Sequence, residues 1–161
     1  MNIVVLAGGL SPERDVSLSS GALIASALSR RGHAVKIIDV YEGICDLPDD
    51  ITAVFERGKS YSSPVGEAEP DLDAVRRRNG NRDALVGPGV LDVCAAADVV
   101  FLGLHGAIGE NGQLQATLDC AGIKHYTGTG YAGALLSMDK DLTKQLISRA
   151  GVPTADWIYF D

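Results

Sequence analysis

A short β-branched run closed by two glycines constrains this chain most. Asn2-Ile3-Val4-Val5-Leu6 leads into Ala7-Gly8-Gly9, and a helical pattern follows from about Val16 to Arg31. Ser20, Leu23, Ile24, Ala27 and Leu28 recur there at helical spacing. Gly32 stands where a helix C′ residue belongs, and Ala34–Val40 reads as a second strand. A strand, a helix and a strand within about forty residues form a βαβ unit, which requires a parallel sheet with a right-handed crossover.

Periodicity then fades. From Tyr41 to Gly89 the chain holds Pro48, Pro64, Pro70 and Pro88, the polar run Lys59-Ser60-Tyr61-Ser62-Ser63, and Arg76-Arg77-Arg78-Asn79-Gly80-Asn81. Ile51–Phe55 is expected as a short strand and Asp71–Arg78 as a short helix. The rest is expected as exposed loop, peripheral to chemistry. A structureless run this long is unusual in a compact domain, so some order beyond these elements is expected.

Regularity returns with a helix at Leu91–Ala97. Val99–Leu104 is a continuous apolar run, the pattern of a strand buried on both faces. Gln113–Cys120 reads as a helix closed by Gly122, Ile123–Thr127 as a short strand, and Tyr131–Leu136 and Asp139–Ala150 as helices. Gly151-Val152-Pro153 stops the last of these, and Trp157–Phe160 reads as a further strand. The expected class is α/β, with a Rossmann-like parallel sheet carrying helices on both faces.

Composition narrows the function. A length of 161 residues fits one ordinary domain. A formal charge of −7 argues against a general nucleic-acid binder, which needs a basic footprint. Cys45, Cys94 and Cys120 lack CxxC spacing, so reduced thiols are expected rather than a metal site or disulfide framework. The N-terminus lacks a basic region, and its apolar run is too short for a signal peptide or membrane span. A cytoplasmic protein with no membrane partner is expected.

Three stretches can carry chemistry. Gly8-Gly9-Leu10-Ser11-Pro12-Glu13-Arg14-Asp15-Val16-Ser17 joins the first strand to the first helix, beyond the carboxyl end of a parallel strand, where ligands bind in such sheets. It matches neither GxGxxG nor GxxxxGK[ST]. Glu13 and Asp15 also occupy the place of a phosphate, so the loop suits a ligand ammonium. Alternatively, the acids only complement the helix dipole and Ser11 caps the helix. His105, in His105-Gly-Ala-Ile-Gly-Glu-Asn-Gly112, closes the next apolar strand and can donate a hydrogen bond or carry charge near neutral pH, or be structural. In Ser137-Met138-Asp139-Lys140, Asp139 can cap the last helix. Lys140 opposes the dipole, which hints at an anion such as a nucleotide phosphate, or is simply solvated.

In these stretches the sequence resembles the D-alanine–D-alanine ligases of the ATP-grasp group. Gly8-Gly9-Leu-Ser-Pro-Glu13-Arg-Asp-Val-Ser17 resembles the first signature of that family. His105-Gly-x-x-Gly-Glu-Asn111-Gly112-x-Leu114-Gln115 resembles the second, with Asn111 where aspartate is commoner. Tyr126-Thr-Gly-x-Gly130 through Ser137-Met-Asp-Lys140 resembles the linker into the nucleotide-binding domain. The likeness covers most of the chain except Tyr41–Gly89, longer here than in the simplest members.

The resemblance implies a substrate-binding pre-ATP-grasp domain over 1–137, with a loop-rich insertion at 41–89, and the start of a truncated ATP-grasp domain over 138–161. It implies that Glu13 holds the ammonium of the first D-alanine and that His105 lies beside its carboxylate. Val16, Ser17 and Gly106 complete that pocket, with Ser17 ordering the first loop, and Lys140 contacts ATP. The family phosphorylates one D-alanine with ATP and Mg2+, and the amine of a second attacks the acyl phosphate to give the dipeptide used in peptidoglycan. The metal ligands are expected outside this chain, which alone is expected to be inactive. A homodimer is implied. Three other readings stand beside this one: a non-catalytic Rossmann-like module binding a nucleotide or amino acid, a structural role, mainly dimerisation, in a truncated relative, and a ligase whose second substrate is D-lactate or D-serine.

Overall fold

The computed structural model describes residues 1–160. Its centre is strand β1 (Asn2–Ala7), flanked on one side by β2 (Ala34–Asp39) and on the other by β3 (Val99–Leu102). Both pairings are parallel, with Leu6 opposite Ile38 and Leu102. Helix α1 (Arg14–Arg30) makes the crossover from β1 to β2, and Gly32 follows it in the left-handed conformation a C′ residue needs.

Alternation along β1 divides the core. Val4 and Leu6 face one side, with Val90 and Val93 of α3 (Val90–Ala96) and Leu114 and Leu118 of α5 (Gln113–Cys120). Val5 faces the other side, with Ala25 of α1 and Val35 of β2. The sheet therefore carries helices on both faces, as the sequence predicts. Gly21 lets α1 lie close to the sheet, since a Cβ there would stand 2.8 Å from the Ala7 Cβ.

The stretch from Tyr41 to Gly89 is pinned rather than loose. Tyr41 is fully buried, its hydroxyl donates to the Arg82 carbonyl at 3.1 Å, and the Arg82 guanidinium lies 4.3 Å from its ring centroid. Tyr61 and Ser26 of α1 exchange two hydrogen bonds, and the Tyr61 hydroxyl donates to the Val35 carbonyl at 2.7 Å. Helix α2 (Leu72–Arg78) forms within the expected bounds, with Asp71 accepting from the Ala74 N–H.

Several expectations fail for identifiable reasons. Ile51–Val54 is a 3-10 turn, because the Asp50 carboxylate takes the Thr52 N–H at 3.0 Å and its hydroxyl at 2.7 Å, which curls the chain. The bridge to Val35 is made by Glu56 instead. The apolar run at Val99–Leu104 yields a strand only to Leu102, and of its strand residues Val100 alone is fully enclosed. Among the described residues that strand is an edge; a single bridge from Val100 to Tyr126 is the β pairing that forms of the strand expected at Ile123–Thr127, and the Thr127 hydroxyl accepts the Leu102 N–H at 3.0 Å. Trp157–Phe160 forms no strand; the Trp157 indole donates to Asp141 at 2.6 Å, and Ile158 and Phe160 are exposed. A short helix absent from the sequence reading, α4 (Ala107–Glu110), lies within the loop after β3. The chain ends in α6 (Tyr131–Met138) and α7 (Lys140–Arg149), and Asp139 caps α7 by accepting from the Leu142 N–H at 2.9 Å.

Gly21→Ala inserts a methyl group against Ala7, and the helix must back away; overpacking of this kind costs about 1–3 kcal/mol, readable as a lower urea midpoint. Cys94 is buried, and burial pushes its thiol up to about 12 from 9.0. The folded state thus favours the neutral thiol, so its contribution is complete below pH 9.0 and is lost as pH rises from there toward about 12. Thiol labelling at pH 8 should modify exposed Cys45 and Cys120 quickly and Cys94 only on unfolding.

Candidate functional site

The loops after β1 and β3 meet at the carboxyl ends of neighbouring parallel strands, and two serines hold them together. The Ser17 hydroxyl accepts the Gly8 N–H at 2.9 Å and donates to the Gly103 carbonyl at 2.8 Å, joining the end of β1 to the end of β3. The Ser11 hydroxyl donates to the His105 carbonyl at 2.9 Å. Ser11 is therefore not the cap of α1, its hydroxyl being engaged across the site; the N-cap position is Glu13, whose side chain makes no capping bond.

Glu13 stands over the second loop. A Cβ on Gly106 would lie 2.8 Å from a Glu13 carboxylate oxygen, and Gly106 has φ +68. Only glycine lets the acid come this close while the backbone takes that conformation. The His105 ring reaches back to α1, with Nε2 3.3 Å from the Ser20 hydroxyl. Glu13, Val16, Ser17 and Ser20 follow one another at helical spacing, so one face of α1 meets the second loop. Glu13 and Val16 are exposed and His105 and Gly106 half-buried. Ser17, expected in the substrate pocket, is fully buried, with its hydroxyl committed to the Gly8 N–H and the Gly103 carbonyl.

A buried ion cluster lies behind Glu13. The Arg14 side chain donates to the Gly9 carbonyl at 2.8 Å and pairs with Asp39 at 2.6 Å and Glu42 at 2.9 Å. One Asp39 oxygen accepts from the N–H groups of Gly9, Tyr41 and Glu42 at 3.3, 2.9 and 3.0 Å. A Cβ on Gly8 would meet the other Asp39 oxygen at 1.9 Å, so Gly8 cannot be substituted without expelling this carboxylate. The sequence reading missed Arg14, Asp39 and Glu42. The one available signal was that Asp39 ends the second strand, on the rim where the site lies.

Lys140 is not part of this rim. It is exposed in the first turn of α7 and lines a separate open cleft of about 660 Å³ with Asn111, Leu135, Met138 and Tyr159. Among the described residues, no group of three His, Cys, Asp or Glu side chains is placed to hold a metal ion. The rim carries an exposed carboxylate against Gly106 and a half-buried imidazole that reaches Ser20, two groups that suit a small ligand carrying both an ammonium and a carboxylate.

Comparison with known proteins agrees with the reading from these motifs. Residues 2–129 match a family model described as the D-ala D-ala ligase N-terminus. A D-alanine–D-alanine ligase of Lacticaseibacillus casei (strain BL23) is 39% identical over 162 residues, covering 99% of this chain and 45% of that protein. The chain therefore spans less than half the length of this relative. Among solved structures, the D-alanine–D-alanine ligase of Coxiella burnetii aligns with a TM-score of 0.61 at 23% identity, over 98% of this chain and 44% of that one. The Bacillus anthracis enzyme complexed with ATP aligns with a TM-score of 0.57 at 23% identity, over 98% of this chain and 39% of that one. These two share the fold. With its three-stranded parallel sheet, its paired loops and a family match over most of its length, the chain belongs to the D-alanine–D-alanine ligase N-terminal family.

Proposed function

We propose that this chain is the N-terminal part of an ATP-dependent D-alanine–D-alanine ligase and that the rim formed by Glu13, Val16, Gly106 and His105 binds the first D-alanine. The observation that carries the reading is the approach of the Glu13 carboxylate to Gly106, the residue that follows His105. A carboxylate at a helix start is favourable electrostatically, yet it repels a phosphate at that place and attracts an ammonium. A site for a nucleotide alone has no use for it.

In this reading Glu13 accepts hydrogen bonds from the substrate ammonium, and His105 lies beside the substrate carboxylate. The backbone of Gly106 gives the ligand room. The carboxylate oxygen attacks the terminal phosphorus of ATP and ADP departs. The amine of the second D-alanine then attacks the acyl carbon, phosphate leaves, and the amine gives up its proton. A bound Mg2+ would supply neutralisation of the phosphate charge; among the described residues no group of three His, Cys, Asp or Glu side chains is placed to hold it. Lys140 is proposed to contact ATP from α7, with residues 1–137 forming the substrate-side domain and 138–161 opening the nucleotide-binding one. The complete enzyme is proposed to act in the cytoplasm as a homodimer, and its product is the dipeptide of cell-wall peptidoglycan.

The test is Glu13→Gln in the full-length ligase. Loss of a charge-assisted contact costs about 1.5–3 kcal/mol, so KM for the first D-alanine should rise roughly ten- to a hundredfold while KM for ATP stays put. Unchanged constants for both D-alanines would remove Glu13 from the site.

A further inference from the structure

We infer that Arg14, Asp39, Glu42 and Arg78 form a positioning cluster that holds the Glu13 turn in its binding geometry and connects helix α2 to it. None of the four needs to touch substrate. The inference rests on the functional reading above and adds to it the means by which the stretch from Tyr41 to Gly89, distal to the rim, acts on first-substrate affinity.

The turn that carries Glu13 is closed from one residue. The Arg14 N–H donates to the Ser11 carbonyl at 3.0 Å, while its guanidinium donates to the Gly9 carbonyl at 2.8 Å. Both ends of the segment between Gly9 and Arg14 are thus held by Arg14, and Glu13 is its immediate neighbour. A guanidinium can do this because its donors are fixed in one plane and reach several acceptors at once. The Arg14 side chain is only 5% exposed, so its charge has to be met by protein groups, and Asp39 and Glu42 meet it. Asp39 is in turn immobilised by three backbone N–H groups. Glu42 is not so constrained: its side chain is 35% exposed, and the oxygen that meets Arg14 is also the one that takes the Arg78 guanidinium.

Arg78 is the last residue of α2, so this shared oxygen is where the distal stretch enters the site. The Arg78 Nε donates to it at 3.1 Å, and a terminal nitrogen of the same guanidinium contacts it as well. The cluster has two cations and two anions and is balanced. Without Arg78, Glu42 is drawn wholly to Arg14 or turns out to water, and either movement shifts the guanidinium that holds Gly9. All three arginines of the run are exposed, but they divide by partner: Arg77 reaches only Asp71 at 3.7 Å, whereas Arg78, its side chain 55% exposed, meets Glu42.

A purely structural clamp would predict lower stability with unchanged kinetics, and this difference is the test. In the full-length ligase, Arg78→Ala should raise KM for the first D-alanine about two- to fivefold, the range of a part-exposed ion pair, with kcat, KM for ATP and the melting temperature unmoved. Arg78→Lys should recover most of the loss. Glu42→Gln, which leaves Arg14 half-paired, should raise the same KM about tenfold. Arg77→Ala is the control and should change nothing. Variants with unaltered KM, or with all constants shifting in step with a lower melting temperature, overturn the positioning role. If the unaltered ligase releases no phosphate in response to D-alanine, the functional reading itself fails and takes this inference with it. An active enzyme indifferent to Arg78 and Glu42 overturns the inference alone.

Discussion

The site depends on the buried Ser17 hydroxyl. It closes the gap between β1 and β3 at the point where the two strands stop pairing, taking the Gly8 N–H and giving its own proton to the Gly103 carbonyl. Both backbone groups are buried, and leaving either without a partner costs about 1–3 kcal/mol. With that bridge in place, the loops leave the sheet side by side. Glu13 and His105 then reach one rim because they sit at corresponding points after adjacent parallel strands. An α/β sheet places ligands at this edge, and here the edge is sealed underneath by a serine.

A second layer of polar groups determines how the first loop is shaped. Arg14 lies behind Glu13 with its charge enclosed by Asp39 and Glu42. Burying an arginine is costly unless every donor is met, so the geometry around it is narrowly specified. Gly8 and Gly106 belong to the same solution from the backbone side: both have positive φ, and both leave room for a carboxylate, that of Asp39 in one case and of Glu13 in the other. The two acids at this rim are therefore held differently, Asp39 by backbone N–H groups and Arg14, and Glu13 exposed over the second loop.

Much of this was legible in the sequence wherever a signal is local. The β-branched run before Gly8-Gly9, the periodicity of α1 and the C′ glycine at position 32 specify the βαβ unit without help from the rest of the chain. The motifs around Glu13 and His105 stood at the ends of predicted strands, and the parallel order put them side by side. What stayed hidden was non-local. Nothing in the spacing pairs Arg14 with Asp39 or Glu42, and nothing shows that Tyr61 would anchor the distal stretch through Ser26. Two local readings failed because side chains or neighbours outweighed propensity. The Asp50 carboxylate bent Ile51–Val54 into a turn, and the strand-like run Trp157–Phe160 has no strand to pair with among the described residues. Ser11 looked like a helix cap by position, yet its hydroxyl is engaged with the other loop.

The most direct test of the account is a crystal structure of the full-length ligase with D-alanine and a non-hydrolysable ATP analogue. The account predicts the amino acid at the rim between the two loops, its ammonium within hydrogen-bond reach of the Glu13 carboxylate and its own carboxylate beside the His105 ring. D-alanine bound away from these two side chains, or bound with its carboxylate toward Glu13, would contradict it.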